Sequence, residues 1–191
     1  SASRYLAKLP HMVTNTFSPD DIRVITPSAA PIDMAARGPH AAQLPRQLYI
    51  EVTNHCNSLC KSCPLTYDFY LPHEPKHYLS WEQFRKMVDQ VPVIERSVLH
   101  GIGEPMLNRD LPRFIAHLKS RGSHVLFNTN AVLLDEKRGD AAVAAGLDEL
   151  RISLDAITPP LYAHLRGVDA LPKILNNIRA YMAGRREREG I

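Results

Sequence analysis

From Arg46 onward the chain alternates short apolar runs with longer amphipathic stretches, and few architectures accommodate that order. The apolar runs at residues 47–53, 97–100, 124–128 and 148–154 each fit a buried strand. Between them lie helix signals. Ser80, with Gln83 three residues later, forms a capping box that opens a helix to about Gln90, with Trp81, Phe84, Met87 and Val88 on its apolar side. Asn108 or Asp110 opens a second helix with Phe114, Ile115 and Leu118 inward, and Gly122 closes it. Asp135 opens an alanine-rich helix closed by Gly146, and residues 159–166 and about 171–185 supply two more. Strands that alternate with helices this way form right-handed βαβ units on a parallel sheet. In such sheets ligand chemistry collects at the carboxyl ends of the strands.

Ahead of this alternation, residues 1–45 carry six of the fifteen prolines: Pro10, Pro19, Pro27, Pro31, Pro39 and Pro45. Regular elements longer than a turn or two are not expected there, beyond a short added strand at 20–25. The expected organisation is therefore an irregular extension, 1–45, laid on the surface of a core, 46–191. The 191 residues, 45% hydrophobic and 23% charged, describe an ordinary globular chain of about one domain. A net charge of +3 falls short of a nucleic-acid footprint. No apolar run approaches the roughly 18 residues a membrane span needs, and the first ten residues lack a signal core. The expected setting is cytoplasmic, where thiols stay reduced.

All three cysteines, Cys56, Cys60 and Cys63, follow the first strand in the spacing C-x3-C-x2-C. Clustered thiolates on a loop suit zinc or an iron-sulfur cluster. Structural zinc wants four ligands, usually as two separated pairs, and the second pair is missing; His55, His73 and His77 are the candidates for a fourth. A disulfide framework fits poorly, because the count is odd and the loops would be tiny. A cubane held by three cysteines leaves one iron without a protein ligand, and an open metal position is a place for chemistry. The ends of the other strands are also unusual. Gly101-Ile102-Gly103-Glu104-Pro105 follows strand two, Thr129-Asn130 follows strand three, and Ser153 and Asp155 close strand four. The two glycines let backbone approach a ligand closely, and Pro105 stiffens the exit.

Taken together, these motifs resemble those of the radical S-adenosylmethionine (radical SAM) enzymes, in the style of peptide-modifying maturases with SPASM domains and of molybdenum-cofactor cyclases. The likeness runs over residues 47–179 through C-x3-C-x2-C, Gly101 to Pro105, Asn128-Thr129-Asn130-Ala131, Arg151 to Ala156, and Tyr162 to Gly167. The resemblance implies an α/β partial (βα) barrel of about four parallel βα units, against six in the family. A further carboxyl-terminal region or a partner would then complete the barrel, and strand four would otherwise be an exposed edge. It also implies a [4Fe-4S] cluster on Cys56, Cys60 and Cys63, with SAM on the open iron. Reductive cleavage of SAM would give a 5′-deoxyadenosyl radical that takes hydrogen from a peptide or small-molecule substrate. By the same resemblance Gly103 and Glu104 meet the methionine ammonium, Arg166 meets its carboxylate, and Asn130 and Ser153 approach SAM. Ser62 offers main chain to the adenine. It stands where the family often has a bulky residue, so the stacking surface is expected elsewhere, with Tyr67 or Phe69 as the candidates and a place in the core as the other reading of that pair. A flavodoxin or ferredoxin is the expected reductant. The other readings are a non-catalytic iron-sulfur module, such as an electron carrier, and a structural zinc protein. No protein side chain is assigned a catalytic role.

Overall fold

The computed structural model describes residues 45–67 and 76–189, with side chains described as far as Arg185. The 20–25 strand, nearly all of the proline-rich extension, Phe69 and His73 lie outside the described residues. Four strands, β1 (Gln47–Tyr49), β2 (Arg96–Val98), β3 (His124–Thr129) and β4 (Glu149–Ile152), form one sheet in the order β1-β2-β3-β4, with every pair parallel. Among the described residues the α-helices are α1 (Trp81–Val88) between β1 and β2, α2 (Leu111–Ser120) between β2 and β3, α3 (Glu136–Ala144) between β3 and β4, then α4 (Pro159–Arg166) and α5 (Leu171–Glu189).

The helix ends follow their local signals. The Ser80 hydroxyl accepts from Gln83 N at 3.2 Å while Gln83 Oε1 accepts from Ser80 N at 3.0 Å, so the capping box is closed on both sides. Asp135 caps α3 through Arg138 N at 2.9 Å. Asp110 precedes α2 but gives no side-chain cap; Asn108 Oδ1 instead accepts from Asp110 N at 2.9 Å. Gly122 and Gly146 end α2 and α3 with φ of +79° and +91°, the left-handed conformation that terminates a helix with least strain.

Phe84 and Val88 of α1, Phe114, Ile115 and Leu118 of α2, Leu171 and Ile174 of α5, and Ile50, Val52, Leu99, Val125 and Phe127 from the strands and their extensions form one buried cluster. The Phe84 and Phe114 rings stack at 4.3 Å. Met87 departs from expectation and is 41% exposed, because Trp81, Phe84 and Val88 already complete the buried stripe at helical spacing. All of these helices cover the same side of the sheet. The strand residues between the core positions point to the other side: Tyr49, Val98, Leu126 and Glu149 are register partners in one row across it. A parallel sheet with the described helices on one face is a segment of a (βα) barrel wall; on the other face Val98 and Leu126 are buried while Tyr49 is exposed.

The strands are shorter than the apolar runs. Ladder bonds continue for a residue or two, from Ile50 N to Val98 O (2.9 Å), Leu99 N to Leu126 O (2.8 Å) and Ser153 N to Thr129 O (2.9 Å). Beyond Ile50 the chain leaves β2 for a different neighbour, with Leu79 N donating to Val52 O at 2.9 Å and Thr53 bridging Tyr78 antiparallel. That turn carries the cysteine loop over the carboxyl edge of the sheet.

Candidate functional site

The cysteine loop is fixed at its root and along its length. Thr53 Oγ1 donates to His77 O (2.8 Å) and accepts from His55 N (3.0 Å); the His55 ring stacks on Tyr78 with centroids 4.2 Å apart. Farther along, Leu59 N and Lys61 N donate to Arg166 O and Leu165 O at 3.0 and 3.1 Å, seating the loop on the end of α4. The fit there requires Gly167, whose φ is +67° and whose added Cβ would stand 2.4 Å from Leu59 O. Cys63 N donates to Cys60 O (3.0 Å), and the same carbonyl accepts from Thr66 Oγ1 (2.8 Å). All three cysteines are free thiols and half-buried. Burial, with Glu104 and the other two cysteines adding to it, raises the Cys56 pKa above its ordinary value against an opposing bond from Ser58 N. Among the described residues no three His, Cys, Asp or Glu side chains are grouped to hold a single metal ion. A cubane places each thiolate on a different iron and so wants them farther apart than one ion does.

The 101–105 loop packs directly against the cysteine loop. A Cβ on Gly103 would lie 2.1 Å from Thr53 O and 2.7 Å from His55 O, so only glycine permits the approach. Glu104 N donates to His55 O at 2.7 Å. A Cβ on Gly101 would meet only the Glu51 side chain, whose Oε1 accepts from Ile102 N at 2.7 Å.

Glu104 is 2% exposed, and protein groups occupy its carboxylate. Oε1 accepts from Thr129 Oγ1 (2.8 Å) and Met106 N (3.1 Å), and Oε2 accepts from Asn130 N (2.8 Å). Burial raises its pKa, and those three bonds together with the Arg166 charge oppose the rise without cancelling it. The carboxylate therefore ties the loop after β2 to the loop after β3. Asn130 extends the tie. Its Nδ2 donates to Asn57 Oδ1 (2.7 Å) and Ser58 Oγ (3.1 Å) and lies 4.0 Å from Cys56 Sγ, while its Oδ1 accepts from Val132 N (3.0 Å).

Arg166 reaches back from the last turn of α4. Its Nη1 lies 3.5 Å from Cys60 Sγ, and its Nε lies 2.7 Å from Asp155 Oδ2, close enough for an ion pair but too bent for a hydrogen bond. Its side chain is 12% exposed. Burial works to lower its pKa, but Cys60, Asp155 and Tyr162 outweigh that and the net direction is upward, so it is a fixed cation. Ser153 is half-buried beside Asn130 at the end of β4, through its bond to Thr129 O. Ser62 is exposed in the turn before Cys63, and Tyr67, 43% exposed, donates its hydroxyl to Lys61 O.

The structure thus gathers Cys56, Cys60, Cys63, Gly103, Glu104, Asn130 and Arg166 into one bonded set, with Ser153 adjoining and Ser62 at the rim. The sequence alone had not marked Thr129, Asn57 and Ser58 as its connectors. Nor had it marked the second role of Asn108, whose buried Nδ2 donates to Val52 O (2.8 Å) and Leu79 O (3.0 Å) at the root of the cysteine loop. The donor set fits the expected cofactors. Three thiols stand on a braced loop, N–H groups of Asn130 and Arg166 are directed toward two of the sulfurs, and a fixed cation offsets a negatively charged cluster. A cleft of about 1060 Å³ beside Leu111, Leu133, Lys137 and Arg138 contains none of these groups.

Known proteins are similar to this chain in sequence and in fold. A probable GTP 3′,8-cyclase from Sulfolobus acidocaldarius is 36% identical over 135 residues, which are 69% of this chain and 41% of the relative. A PqqA peptide cyclase from Xanthomonas campestris pv. campestris is 26% identical over 144 residues, covering 75% of this chain and 37% of the relative. The chain therefore spans about two fifths of the length of these curated relatives. Among solved structures, native anSMEcpe with bound AdoMet superposes with a TM-score of 0.60 at 18% identity, over 73% of this chain and 42% of that one, and shares the fold. Members of the family that these sequences represent use a [4Fe-4S] cluster and SAM. Residues 50–185 match the Radical SAM superfamily, and the chain belongs to it.

Proposed function

We propose that this chain is the cluster-bearing part of a radical SAM enzyme that acts on a peptide or small-molecule substrate. The observation that carries the proposal is the bonded set itself, in which the loops after β1, β2 and β3 and the end of α4 meet around three free thiols. When bound, the cluster would supply the single electron that cleaves SAM into methionine and a 5′-deoxyadenosyl radical able to take a hydrogen atom from substrate. Cys56, Cys60 and Cys63 would hold the cluster. Gly103 brings main chain close enough to face the SAM ammonium with carbonyls, and Glu104 holds that loop in register with Asn130. Arg166 is charge-matched to a carboxylate and sits beside Cys60, where the amino-acid end of SAM would lie. Ser62 and Ser153 flank this group and would contact the rest of SAM. The cofactors supply the reactive chemistry, while the protein positions and shields them.

The electron donor would be a flavodoxin or ferredoxin, and the setting a reducing one such as the cytoplasm. Among the described residues no helix is long and apolar enough to cross a membrane. The relatives named above cyclise GTP and a peptide, and one of those two substrate classes is the proposed one.

Cys60→Ala tests the assignment. Reconstituted anaerobically with iron and sulfide, the variant is expected to lose its cluster and form no 5′-deoxyadenosine. A variant that still cleaves SAM would contradict the cluster assignment.

A further inference from the structure

A buried polar atom without a partner has lost its hydration and gained no bond in return, so each one marks something unfinished. Among the described residues six side-chain atoms are in that state: Arg96 Nε, His100 Nδ1, Asn128 Oδ1, Tyr162 Oη, Arg166 Nε and Tyr181 Oη. Arg166 already belongs to the site described. Three of the others, on Arg96, His100 and Asn128, share the face of β2 and β3 turned away from the helices, where Val98 and Leu126 are also buried.

Strand register places them. Tyr49, Val98, Leu126 and Glu149 form one row across that face. Two residues farther along, the ladder bonds Ile50 N to Val98 O and Leu99 N to Leu126 O carry the same alignment, and Asn128 pairs with Arg151. Glu51, His100, Asn128 and Arg151 are therefore the next row. Asn130 and Ser153 stand two residues beyond it, at a rise of about 3.3 Å per residue. The unpartnered His100 and Asn128 side chains thus lie roughly 6.6 Å beneath the level of Asn130 and Ser153, on the side where a barrel interior holds its ligand.

The chemistry of this row points to a neutral ligand. Burial lowers the His100 pKa below its ordinary value, and Glu51 only partly opposes this, so the ring is neutral near pH 7 with one nitrogen donating and one accepting. Arg96 lies 3.9 Å from Glu149 and Arg151 bonds to the same carboxylate, while Glu51 adds another negative charge. Two cations against two anions leave nothing in surplus for a polyphosphate. We propose that His100 and Asn128 bind the amide edge of the substrate, an N–H beside a C=O: the N–H donates to Asn128 Oδ1 and the C=O accepts from the imidazole. A peptide bond presents that edge, and so does the cyclic amide of a guanine base. The proposal rests on the radical SAM reading only in treating this face as the substrate side.

The test follows the His100 ring signals by NMR in the reconstituted, oxidised protein with SAM present. The probes are N-acetylglycine N-methylamide, guanosine and tripolyphosphate. A saturable shift is expected with at least one amide probe, lost in Asn128→Leu and in the milder Asn128→Ser, with no shift from tripolyphosphate. The amide probe that saturates at the lower concentration identifies the source as peptide or purine. Absence of a shift with both amides, survival of the shift in both variants, or a shift with tripolyphosphate overturns the proposal. Failure of the wild-type cluster to respond to SAM would instead refute the enzyme reading, and the His100 signals report independently of it.

Discussion

Glu104 is the residue whose surroundings the sequence showed least. A carboxylate in this motif reads from sequence as a direct partner of the SAM ammonium, yet both of its oxygens already accept from Thr129, Met106 and Asn130. Glu104→Gln places an amide N–H against one of these donors, which leaves a buried clash of like groups. The expected result is less cluster per chain after reconstitution, before any SAM is added. A variant with full iron and sulfide content but weaker SAM binding would restore the direct role. The cysteines and Gly103 were legible because their residue types permit few alternatives. The direction of the Glu104 carboxylate was not, since its partners on β3 lie about two dozen residues away and only the fold brings them near. A second residue-scale expectation concerns Asp148, which accepts from Lys119 Nζ (2.9 and 2.7 Å) and Val125 N (2.7 Å). Burial raises its pKa, but those bonds and His124 outweigh it, so the folded value lies below the ordinary one. Its stabilisation is therefore present above the unfolded pKa and lost as pH falls through the folded value. Asp148→Asn should cost about 1–3 kcal/mol in urea unfolding at pH 7 and almost nothing at pH 2. An equal cost at both values would contradict this.

At the scale of elements, helices were easier to read than strands. Ser80, Asp135, Gly122 and Gly146 mark their boundaries through local backbone chemistry, which a sequence displays directly. Strand ends depend on which neighbour a segment meets. Residues 51–53 carry a strand-like pattern, yet they leave β2 to meet the segment at 78–79 and lift the cysteine loop. Met87 was misplaced for a related reason: a moderately apolar residue beside a completed stripe faces solvent. The two glycines of the 101–105 loop make a paired expectation. Gly103→Ala drives a methyl into the Thr53 and His55 carbonyls, which cannot move without shifting the cysteine loop, and should cost about 1–3 kcal/mol together with most of the cluster content. Gly101→Ala meets a side chain that can swing aside and should retain its cluster. Equal behaviour of the two variants in thermal unfolding and iron content would show that the close approach at Gly103 is unimportant.

For the molecule as a whole, the described residues form a four-stranded parallel sheet with β1 and β4 as its outer strands and the described helices on one face. The face turned away from those helices, on which Tyr49 is 72% exposed while Val98 and Leu126 are buried, is the part of the fold least visible in sequence. Period-two alternation shows that two faces exist, but not which one the helices leave open. The cysteine loop and the groups proposed to meet SAM lie at the carboxyl ends of the strands, and the proposed chemistry requires that an iron there be free to take SAM. Electron paramagnetic resonance of the reconstituted, reduced protein, recorded with and without SAM, measures that requirement most directly. A [4Fe-4S] signal that changes shape or position when SAM is added is the expected result; a [4Fe-4S] signal identical in both spectra would contradict an open iron and with it the proposed chemistry.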